Sequence, residues 1–512
     1  MSRQGIVYLI GAGPGDPELI TLRGARLIAS ADVVFCDALL HPDWLRRCGA
    51  DVEVRFVGKR AGVESPQQQE INRQLIDAAR GGKVVVRLKG GDPLLFGRGT
   101  EEAEALADAG IAFEIVPGVA SAIAAGAYAG TALTHRHLSA SVAFLTATES
   151  PDREGSHDWA RLATATDTLV IFMGTRKIAS LMRTLIEHGR DPETPACLVH
   201  AASLPTQRVV CATLATLEER VRDAGVGAPG LIVIGEVLSL RKTLDWYGRR
   251  PLFGKKVLVT RPEGQAAAFV QSLRDLGAEP IEWPAIRIAP PEDRAELMRA
   301  VSTLSDYDWV VFTSANGVHP LLEEVARQGF DARKFGDCRI AAIGPKTSDA
   351  LRSHGLRADL VPTESRGEGI AAALLGEIAD PAAATILLPR AEVARDVLPD
   401  TLRAAGARVD IVTAYRTVGA DPATLASLRE RIMDGQVDIA TFTSPSTVEQ
   451  FLNAIGGAAH LPKGICIASI GPITTARAIE LGMNVDLTAE PFTTDGLLRA
   501  LTDHHASLDP PG

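Results

Sequence analysis

Two glycine-rich runs in the first half of the chain hold the residues best suited to binding a ligand. Residues 89–99 contain four glycines and Asp92, and residues 11–17 alternate glycine with Ala and Pro before Asp16. Because glycine has no side chain, the backbone of such a turn can approach a ligand closely. The run at 11–17 is not a dinucleotide fingerprint, because its sixth position is Asp16 rather than glycine or alanine. We therefore expect ligand loops of another kind.

Hydroxyl side chains follow strands of the second half in a repeated pattern. Residues 308–318 and 438–448 are similar, and each reads as a strand, a Thr-Ser turn and the beginning of a helix. Residues 339–345 and 466–472 repeat a strand that ends in Gly-Pro. Free N–H groups and the helix dipole favour an anion at such turns, although a Ser or Thr there can equally be a simple N-cap. The four turns together favour a cleft for a ligand with many carboxylates.

Composition and charge exclude several classes of protein. Hydrophobic residues make up 46% and charged residues 23% of the 512 residues, which is typical of a globular chain without a membrane span. A net charge of −10 argues against a nucleic-acid binder. The six cysteines form no C-x-x-C pair and no His lies at metal-ligand spacing from them, so we expect no metal, reduced thiols and a cytoplasmic protein.

The elements that position these turns read as α/β throughout. Short β-branched runs such as 168–172 and 231–234 alternate with amphipathic helices, which indicates mostly parallel sheets. A basic run without strand or helix periodicity separates the two halves, and we interpret residues 248–254 as a linker. The internal repeat predicts two similar α/β lobes within residues 255–505.

Four segments of the first half, in this order and spacing, resemble the tetrapyrrole methylases: residues 11–17, 89–99, 116–122 and 131–136. Further matches at 32–40, 57–60, 171–174 and 230–236 make residues 1–247 similar to uroporphyrinogen-III C-methyltransferases. The resemblance implies two α/β lobes that bind S-adenosylmethionine between them, outside the usual Rossmann pocket. It also implies a homodimer formed through this half.

The resemblance also assigns site residues. Cofactor contacts of the family fall on Pro14, Gly90, Gly91, Asp92, Leu95, Ala120, Ser121, Met173 and Ala202. Ala202 departs from the family, which often has glycine there, so its methyl group could crowd the cofactor. The resemblance makes Asp37 the proton acceptor and Lys59 the proton donor. As guanidinium groups suit carboxylates, we take Arg87, Arg98 and Arg136 as candidate substrate clamps.

The second half is similar to uroporphyrinogen-III synthases through residues 257–262, the duplicated turns and residues 411–417. The resemblance implies two lobes joined by paired strands, with lobe one at 255–283 and 421–505, lobe two at 292–408, and a tail at 506–512. It places a catalytic tyrosine at Tyr415. Substrate carboxylates would bind Thr313, Ser314, Asn316, Ser444 and Ser446, with Arg261 and Lys346 as candidate charge partners.

Both resemblances together predict a bifunctional enzyme of tetrapyrrole biosynthesis. The second half would cyclise hydroxymethylbilane to uroporphyrinogen III, and the first half would add two methyl groups to give precorrin-2, for sirohaem or cobalamin. The alternative is a methylase of a later corrin precursor joined to a non-catalytic two-lobed ligand-binding module. The expected partners are small tetrapyrroles, with no nucleic acid and no membrane.

Overall fold

The computed structural model describes residues 5–37, 40–49, 51–57, 68–147, 157–364, 366–394, 396–419 and 422–508. The chain folds as two compact units. The first unit comprises the described residues up to Lys255, Leu273–Glu279 and the described residues from His504 onward. The second comprises Lys256–Ser272 and Pro280–Asp503. No helix among the described residues is long and apolar enough to cross a membrane.

The first unit contains two five-stranded sheets within its described residues. Its strands are β1 (Ile6–Gly11), β2 (Val33–Cys36), β3 (Glu53–Phe56), β4 (Val84–Lys89), β5 (Ala112–Val116), β6 (Val142–Thr146), β7 (Thr168–Phe172), β8 (Pro195–His200), β9 (Arg208–Thr213) and β10 (Gly230–Ile234). Its helices are α1 (Leu22–Ala29), α2 (Gln68–Arg80), α3 (Gly99–Asp108), α4 (Ser121–Tyr128), α5 (Trp159–Ala165), α6 (Ile178–Glu187), α7 (Leu217–Asp223) and α8 (Arg241–Leu244).

Sheet one has the order β3-β2-β4-β1-β5, and its strands are parallel. A parallel sheet is covered on both faces, which explains the unbroken apolar runs such as Val33–Cys36. Sheet two has the order β6-β7-β10-β8-β9 and is mixed, because only β6 and β7 are parallel. Since the carboxyl ends of parallel strands share one edge, sheet one gathers the turns after β1, β4 and β5 there.

The second unit repeats this two-sheet plan within its described residues. Its strands are β11 (Lys256–Val259), β12 (Glu279–Glu282), β13 (Ile286–Ala289), β14 (Trp309–Phe312), β15 (Arg339–Ala342), β16 (Thr385–Ala391), β17 (Arg408–Gly419), β18 (Ile439–Phe442), β19 (Cys466–Ser469) and β20 (Leu487–Thr488). The helices are α9 (Glu263–Asp275), α10 (Ala295–Ser302), α11 (Ala315–Arg327), α12 (Pro345–Ser353), α13 (Gly367–Glu377), α14 (Val397–Ala404), α15 (Pro422–Met433), α16 (Pro445–Ile455), α17 (Pro472–Glu480) and α18 (Thr494–Leu508).

Sheet three has the order β12-β11-β18-β19-β20, and sheet four has the order β13-β17-β16-β14-β15. The repeated sequence segments occupy equivalent places, since β14 pairs with β15 and β18 with β19, both in parallel. The long strand β17 pairs in parallel with β16 and then antiparallel with β13 near its end. The predicted α/β class, with two-lobed units and an internal repeat, is confirmed.

One prediction needs correction. Cys197 and Cys211 form a disulfide between neighbouring strands β8 and β9, so the expectation of six reduced thiols is wrong for this pair. Strand register brings the two together, and their separation of 14 residues carried no sign of it. Within the segment interpreted as a linker, Leu252 is completely buried.

Candidate active sites

Three backbone turns meet at the carboxyl edge of sheet one. Gly13 and Gly91 exchange hydrogen bonds, with N···O distances of 3.2 and 3.1 Å. A Cβ added at Gly118 would lie 2.3 Å from the carbonyl oxygen of Gly91, so only glycine allows this approach. Gly91 also has a φ of +68°, which favours glycine. Packing and backbone conformation therefore account for these glycines without a ligand.

Gly90 differs from its neighbours because packing does not require it. A Cβ added there would meet nothing closer than the Leu40 side chain at 3.8 Å, and the residue is exposed. Its N–H group donates to Oδ2 of Asp37 at 3.3 Å. An exposed glycine beside a candidate acid–base group leaves space for a ligand at this edge, and an S-adenosyl group fits such a cradle.

Asp92 holds two of the turns together. Its Oδ1 accepts from the N–H groups of Leu94 and Leu95 at 2.8 and 3.2 Å, and its Oδ2 accepts from that of Gly118 at 3.1 Å. Three backbone donors occupy its carboxylate. Asp92 thus shapes the loop that contains the predicted cofactor contacts Gly90, Gly91 and Leu95.

The third turn and the second sheet supply the remaining predicted contacts. Ala120 is the N-cap of α4 and Ser121 begins it; a Cβ added at Gly91 would lie within 4 Å of both. Met173 follows β7 in a left-handed conformation with φ +56° and is 52% exposed. Its neighbour Phe172 packs on Phe96 with ring centroids 4.9 Å apart. An exposed apolar side chain on a strained backbone is suited to line a ligand pocket.

The turn at 201–203 contacts the first glycine-rich turn directly. Ser203 Oγ donates to the Pro14 carbonyl oxygen at 2.7 Å and accepts from the Asp16 N–H at 3.0 Å. Ala201 and Ser203 have positive φ values of +50° and +69°, whereas Ala202 between them does not. Ala202 therefore has a backbone conformation that does not call for the family's glycine.

A buried ionic network surrounds the predicted proton acceptor. Arg87 Nη2 donates to Oδ1 of Asp37 at 2.6 Å, and Arg87 Nε donates to Oε1 of Glu102 at 3.0 Å. Lys89 Nζ donates to the same Glu102 oxygen at 3.0 Å. Arg87 is only 3% exposed, whereas Asp37 is 30% exposed. Asp37 is thus held by a buried cation while its carboxylate still reaches the surface.

The electrostatics of the network follow from burial and pairing. Burial alone would lower the pKa of Arg87, but the carboxylates of Asp37 and Glu102 more than offset it, and the pKa is raised. Burial and the charge of Arg87 lower the pKa of Lys89, and Glu102 opposes them only in part. Arg87 was predicted as a substrate clamp, and in this structure its guanidinium group is engaged with the carboxylates of Asp37 and Glu102.

The other predicted residues of this unit have less defined surroundings. Arg98 is exposed, pairs with Glu101 through a 2.8 Å hydrogen bond, and has a positive φ of +59°. Arg136 is exposed and makes no hydrogen bond or ion pair among the described residues. Lys59 lies outside the described residues. Sequence reasoning missed Ser203 and Glu102, although Glu102 follows the second glycine-rich run by three residues.

In the second unit, the duplicated Thr-Ser turns are helix N-caps. Ser314 accepts from the Asn316 N–H at 3.2 Å, and Ser444 accepts from the Thr447 N–H at 3.3 Å within a capping box. Both turns have the same burial pattern, with half-buried residues at 313–316 and 443–446. Both serines therefore act as helix N-caps in this structure. Thr313 and Ser446 remain half-buried at the same edges, with Ser446 Oγ 2.9 Å from Ser444 Oγ.

A hydrogen bond joins the two halves of this unit beside the first turn. Gln265 Nε2, at the beginning of α9, donates to Oδ1 of Asn316 at 2.9 Å. Arg261 lies in the loop before α9. Its Nη2 donates to Oε1 of Gln265 at 3.5 Å, and its Nε is buried without a hydrogen-bond partner among the described residues. Burial lowers the pKa of Arg261. A half-buried cation without an acidic partner is a reasonable contact for a substrate carboxylate.

Tyr415 lies at the point in β17 where pairing changes from β16 to β13. It faces Ala391 across an irregularity in the β16–β17 ladder, and strand irregularities often re-aim side chains near sites. A Cβ added at Gly317 would lie 3.9 Å from Cε1 of Tyr415, so the ring packs beside the Thr313–Ser314 turn. Among the described residues, none is hydrogen-bonded to the Tyr415 hydroxyl, which leaves it available to a substrate.

Fold and sites together define a fusion of two α/β enzymes, each with its candidate site at the carboxyl ends of parallel strands. The model of the tetrapyrrole (corrin/porphyrin) methylases matches residues 6–218, and the model of uroporphyrinogen-III synthase HemD matches residues 267–499. The porphyrin biosynthesis protein HemD of Ruminiclostridium josui is 35% identical over 500 residues, covering 98% of both chains.

Two further relatives come from Bacillus subtilis (strain 168), and both are uroporphyrinogen-III C-methyltransferases. One is 35% identical and covers 71% of this chain and 74% of its own, and the other is 44% identical and covers 48% of this chain and 95% of its own. The chain belongs to the family of tetrapyrrole-biosynthesis proteins that join a methylase of this kind to a uroporphyrinogen-III synthase. The predicted enzyme classes, an S-adenosylmethionine-dependent C-methyltransferase and a lyase, are confirmed.

Proposed function

We propose that the second unit cyclises hydroxymethylbilane to uroporphyrinogen III and that the first unit methylates this product at C2 and C7 to give precorrin-2. Family membership supports both activities. The observation that carries the methyltransferase site is the exposed, unpacked Gly90 beside an Asp37 held by Arg87. The product of one unit is the substrate of the other, which makes the fusion chemically coherent.

In the methyltransferase unit, Pro14, Gly90, Gly91, Leu95, Ala120, Ser121, Met173 and Ala202 would hold S-adenosylmethionine, with Asp92 shaping their loop. The bound cofactor supplies an electrophilic methyl group on a sulfonium. Because glycine leaves the loop backbone open, Gly90 allows donor and acceptor to approach in line. Met173 and Leu95 exclude water from the reacting carbon.

Charged side chains near this edge carry out the proton transfers. Asp37, with its carboxylate oriented by Arg87, accepts the proton that the methylated macrocycle must lose. Lys59 is proposed as the proton donor. Arg98 and Arg136 bind substrate carboxylates through charge-assisted hydrogen bonds, for which exposed guanidinium groups are suited.

In the synthase unit, the hydroxyl of Tyr415 assists departure of the substrate hydroxyl by donating a hydrogen bond. Thr313, Ser314, Asn316, Ser444 and Ser446 bind substrate carboxylates through backbone N–H groups and side chains at the two helix beginnings. Arg261 adds a cation to this cleft. No step requires an oxidant, because ring closure only releases water.

The test is the product spectrum of the full chain supplied with hydroxymethylbilane under anaerobic conditions. Without S-adenosylmethionine we expect uroporphyrinogen III, and with it we expect precorrin-2 carrying two new methyl groups. Failure to form the type III isomer would point to a non-catalytic second unit. Formation of the isomer without its methylation would point to a methylase of a later corrin precursor.

We also propose that the chain forms a homodimer through its first unit and acts in the cytoplasm. Light scattering on the full chain measures the first of these directly. A monomeric full chain at micromolar concentration would contradict it.

A further inference from the structure

Glu102 is an unused carboxylate at the centre of the buried network. It lies on α3, is completely buried, and is the one acidic group there without solvent contact. Its Oε1 accepts three hydrogen bonds, from Arg87 Nε and Lys89 Nζ at 3.0 Å and from Gln68 Nε2 at 3.1 Å. Its Oε2 has no partner among the described residues. A fully buried carboxylate with one oxygen unsatisfied is costly.

The geometry connects Glu102 to the reacting edge through one side chain. Arg87 spans the two carboxylates, with Nε on Glu102 and Nη2 on Asp37. The second oxygen of Asp37 accepts from the Gly90 N–H group. Each oxygen of Asp37 therefore has a fixed donor, and one of those donors is itself fixed by Glu102.

The charges of the network balance. Arg87 and Lys89 supply two positive charges, and Asp37 and Glu102 supply two negative charges. Replacing buried ions by apolar residues is often neutral or stabilising, so stability alone is weak reason for this arrangement. What the arrangement achieves is a defined orientation for Asp37 and a surrounding with one net positive charge, which balances its carboxylate.

We propose that Glu102 is a positioning residue that acts through Arg87 to set the orientation and charge environment of Asp37. This inference rests on the proposed role of Asp37 as proton acceptor. Lys89 has the opposite effect, since its ammonium group donates to the same oxygen of Glu102 and offsets its charge.

The sign of the effect follows from the charged groups of the network that the structure describes around Asp37, which are Arg87 and Lys89 on β4 and Glu102 on α3. Neutralising Glu102 leaves one uncompensated positive charge, which stabilises the Asp37 carboxylate and makes it a weaker base. Neutralising Lys89 leaves one uncompensated negative charge and has the opposite effect. The two substitutions, at Glu102 and at Lys89, are thus expected to change the basicity of residue 37 in opposite directions.

The test places a reporter at the position that Glu102 is inferred to control. In the full chain carrying Asp37→Cys, the pKa of the introduced thiol is measured from the pH dependence of its alkylation by iodoacetamide, read by peptide mass spectrometry. Adding Glu102→Gln, which keeps an acceptor oxygen for the three donors, is expected to lower that pKa by about half to one unit. Lys89→Gln is expected to raise it by a similar amount.

The matched control is Glu104→Gln, which removes the same charge from the exposed face of the same helix and should leave the thiol pKa unchanged. An unchanged thiol pKa in Glu102→Gln overturns the inference, whatever happens to activity. If that variant does not fold, Lys89→Gln decides alone: an unchanged or lowered thiol pKa overturns the inference.

A second arm separates this inference from the proposed role of Asp37. With Asp37 intact, Glu102→Gln should move the acid limb of the pH profile of kcat for methyl transfer to lower pH. A shifted thiol pKa without a shifted acid limb would support Glu102 as the positioning residue and remove Asp37 as the proton acceptor.

Discussion

The hydroxyl of Ser203 donates a hydrogen bond of 2.7 Å to the carbonyl oxygen of Pro14, although 189 positions separate them in the sequence. The same hydroxyl accepts from the N–H group of Asp16. One small side chain after β8 thus fixes the turn after β1. Both groups to which it is hydrogen-bonded belong to the backbone of that turn.

Replacing Ser203 by alanine removes both hydrogen bonds and leaves two backbone groups without partners. Because Ser203 is 3% exposed, we expect a loss of about 1–3 kcal/mol in the stability of the first unit. Binding of S-adenosylhomocysteine should weaken about tenfold as the turn loosens. Calorimetric titration and thermal unfolding measure the two effects.

Ser239→Ala is the control, because the exposed hydroxyl of Ser239 donates to the carbonyl oxygen of Glu236 in the adjacent turn. Equal affinities for S-adenosylhomocysteine in the two variants would contradict the prediction.

Gly90 and Gly91 should respond differently to alanine. At Gly90 a Cβ has open space, so thermal unfolding should stay unchanged while affinity for S-adenosylhomocysteine falls about tenfold or more. At Gly91 the φ of +68° makes alanine strained by about 1 kcal/mol, so stability should fall. Gly227→Ala, with nothing within 4 Å and no positive φ, should change neither. Full affinity in Gly90→Ala would remove Gly90 from the cofactor site.

Tyr415→Phe should slow cyclisation of hydroxymethylbilane by about 10–100-fold and leave methylation of added uroporphyrinogen III unchanged. The ring stays packed, so only the hydroxyl is lost. Tyr307→Phe serves as the control, since its hydroxyl donates to Asp410 Oδ2 at 3.0 Å away from the Thr-Ser turns. Stopped-flow or quenched assays of ring closure give the rates. Equal rates in wild type and Tyr415→Phe would exclude the hydroxyl from the reaction.

Arg261→Gln should raise KM for hydroxymethylbilane about tenfold with a smaller change in kcat, because the guanidinium is expected to bind a carboxylate in ground and transition states alike. The difference from wild type should shrink as salt is added, since screening weakens the contact. Arg333→Gln, an exposed arginine paired with Asp331, should leave KM unchanged. A KM unaffected by the Arg261 substitution would place that side chain outside the substrate cleft.

Alkaline pH should weaken the second unit through Cys338. Burial, with help from Asp308 and Asp359, raises the pKa of this thiol from 9.0 to about 12. The folded state therefore holds a proton that the unfolded state releases, so the contribution to stability is present below pH 9 and is lost as pH rises from about 9 towards 12. Denaturant unfolding between pH 8 and about 11 should show a shallower decline in Cys338→Ala than in wild type. Parallel declines in the two proteins would show that the thiol is not the responsible group.

Much of the architecture could be predicted because it depends on local pattern. Alternating strands and amphipathic helices indicated α/β units, and the repeated Thr-Ser and Gly-Pro segments indicated matching strands, as β14–β15 and β18–β19 now show. The resemblances led to the correct family. The predicted glycine-rich turns also lie together, because parallel strands bring their carboxyl ends to one edge.

Other features escaped prediction because they depend on distant partners. Cys197 and Cys211 were expected to be reduced, yet strand register places them side by side. Arg87 was expected to face substrate, yet it is buried between Asp37 and Glu102.

By itself, the sequence determined the α/β class, the repeat, the family and the turns from which ligand contacts come, since hydrophobic periodicity and glycine spacing act over a few residues. Only the tertiary structure decided that packing requires glycine at Gly118 but leaves open space at Gly90. It also decided that Arg261, unlike Arg87, has no acidic partner among the described residues. Those outcomes depend on burial and on through-space charge, and neither is a property of neighbouring positions along the chain.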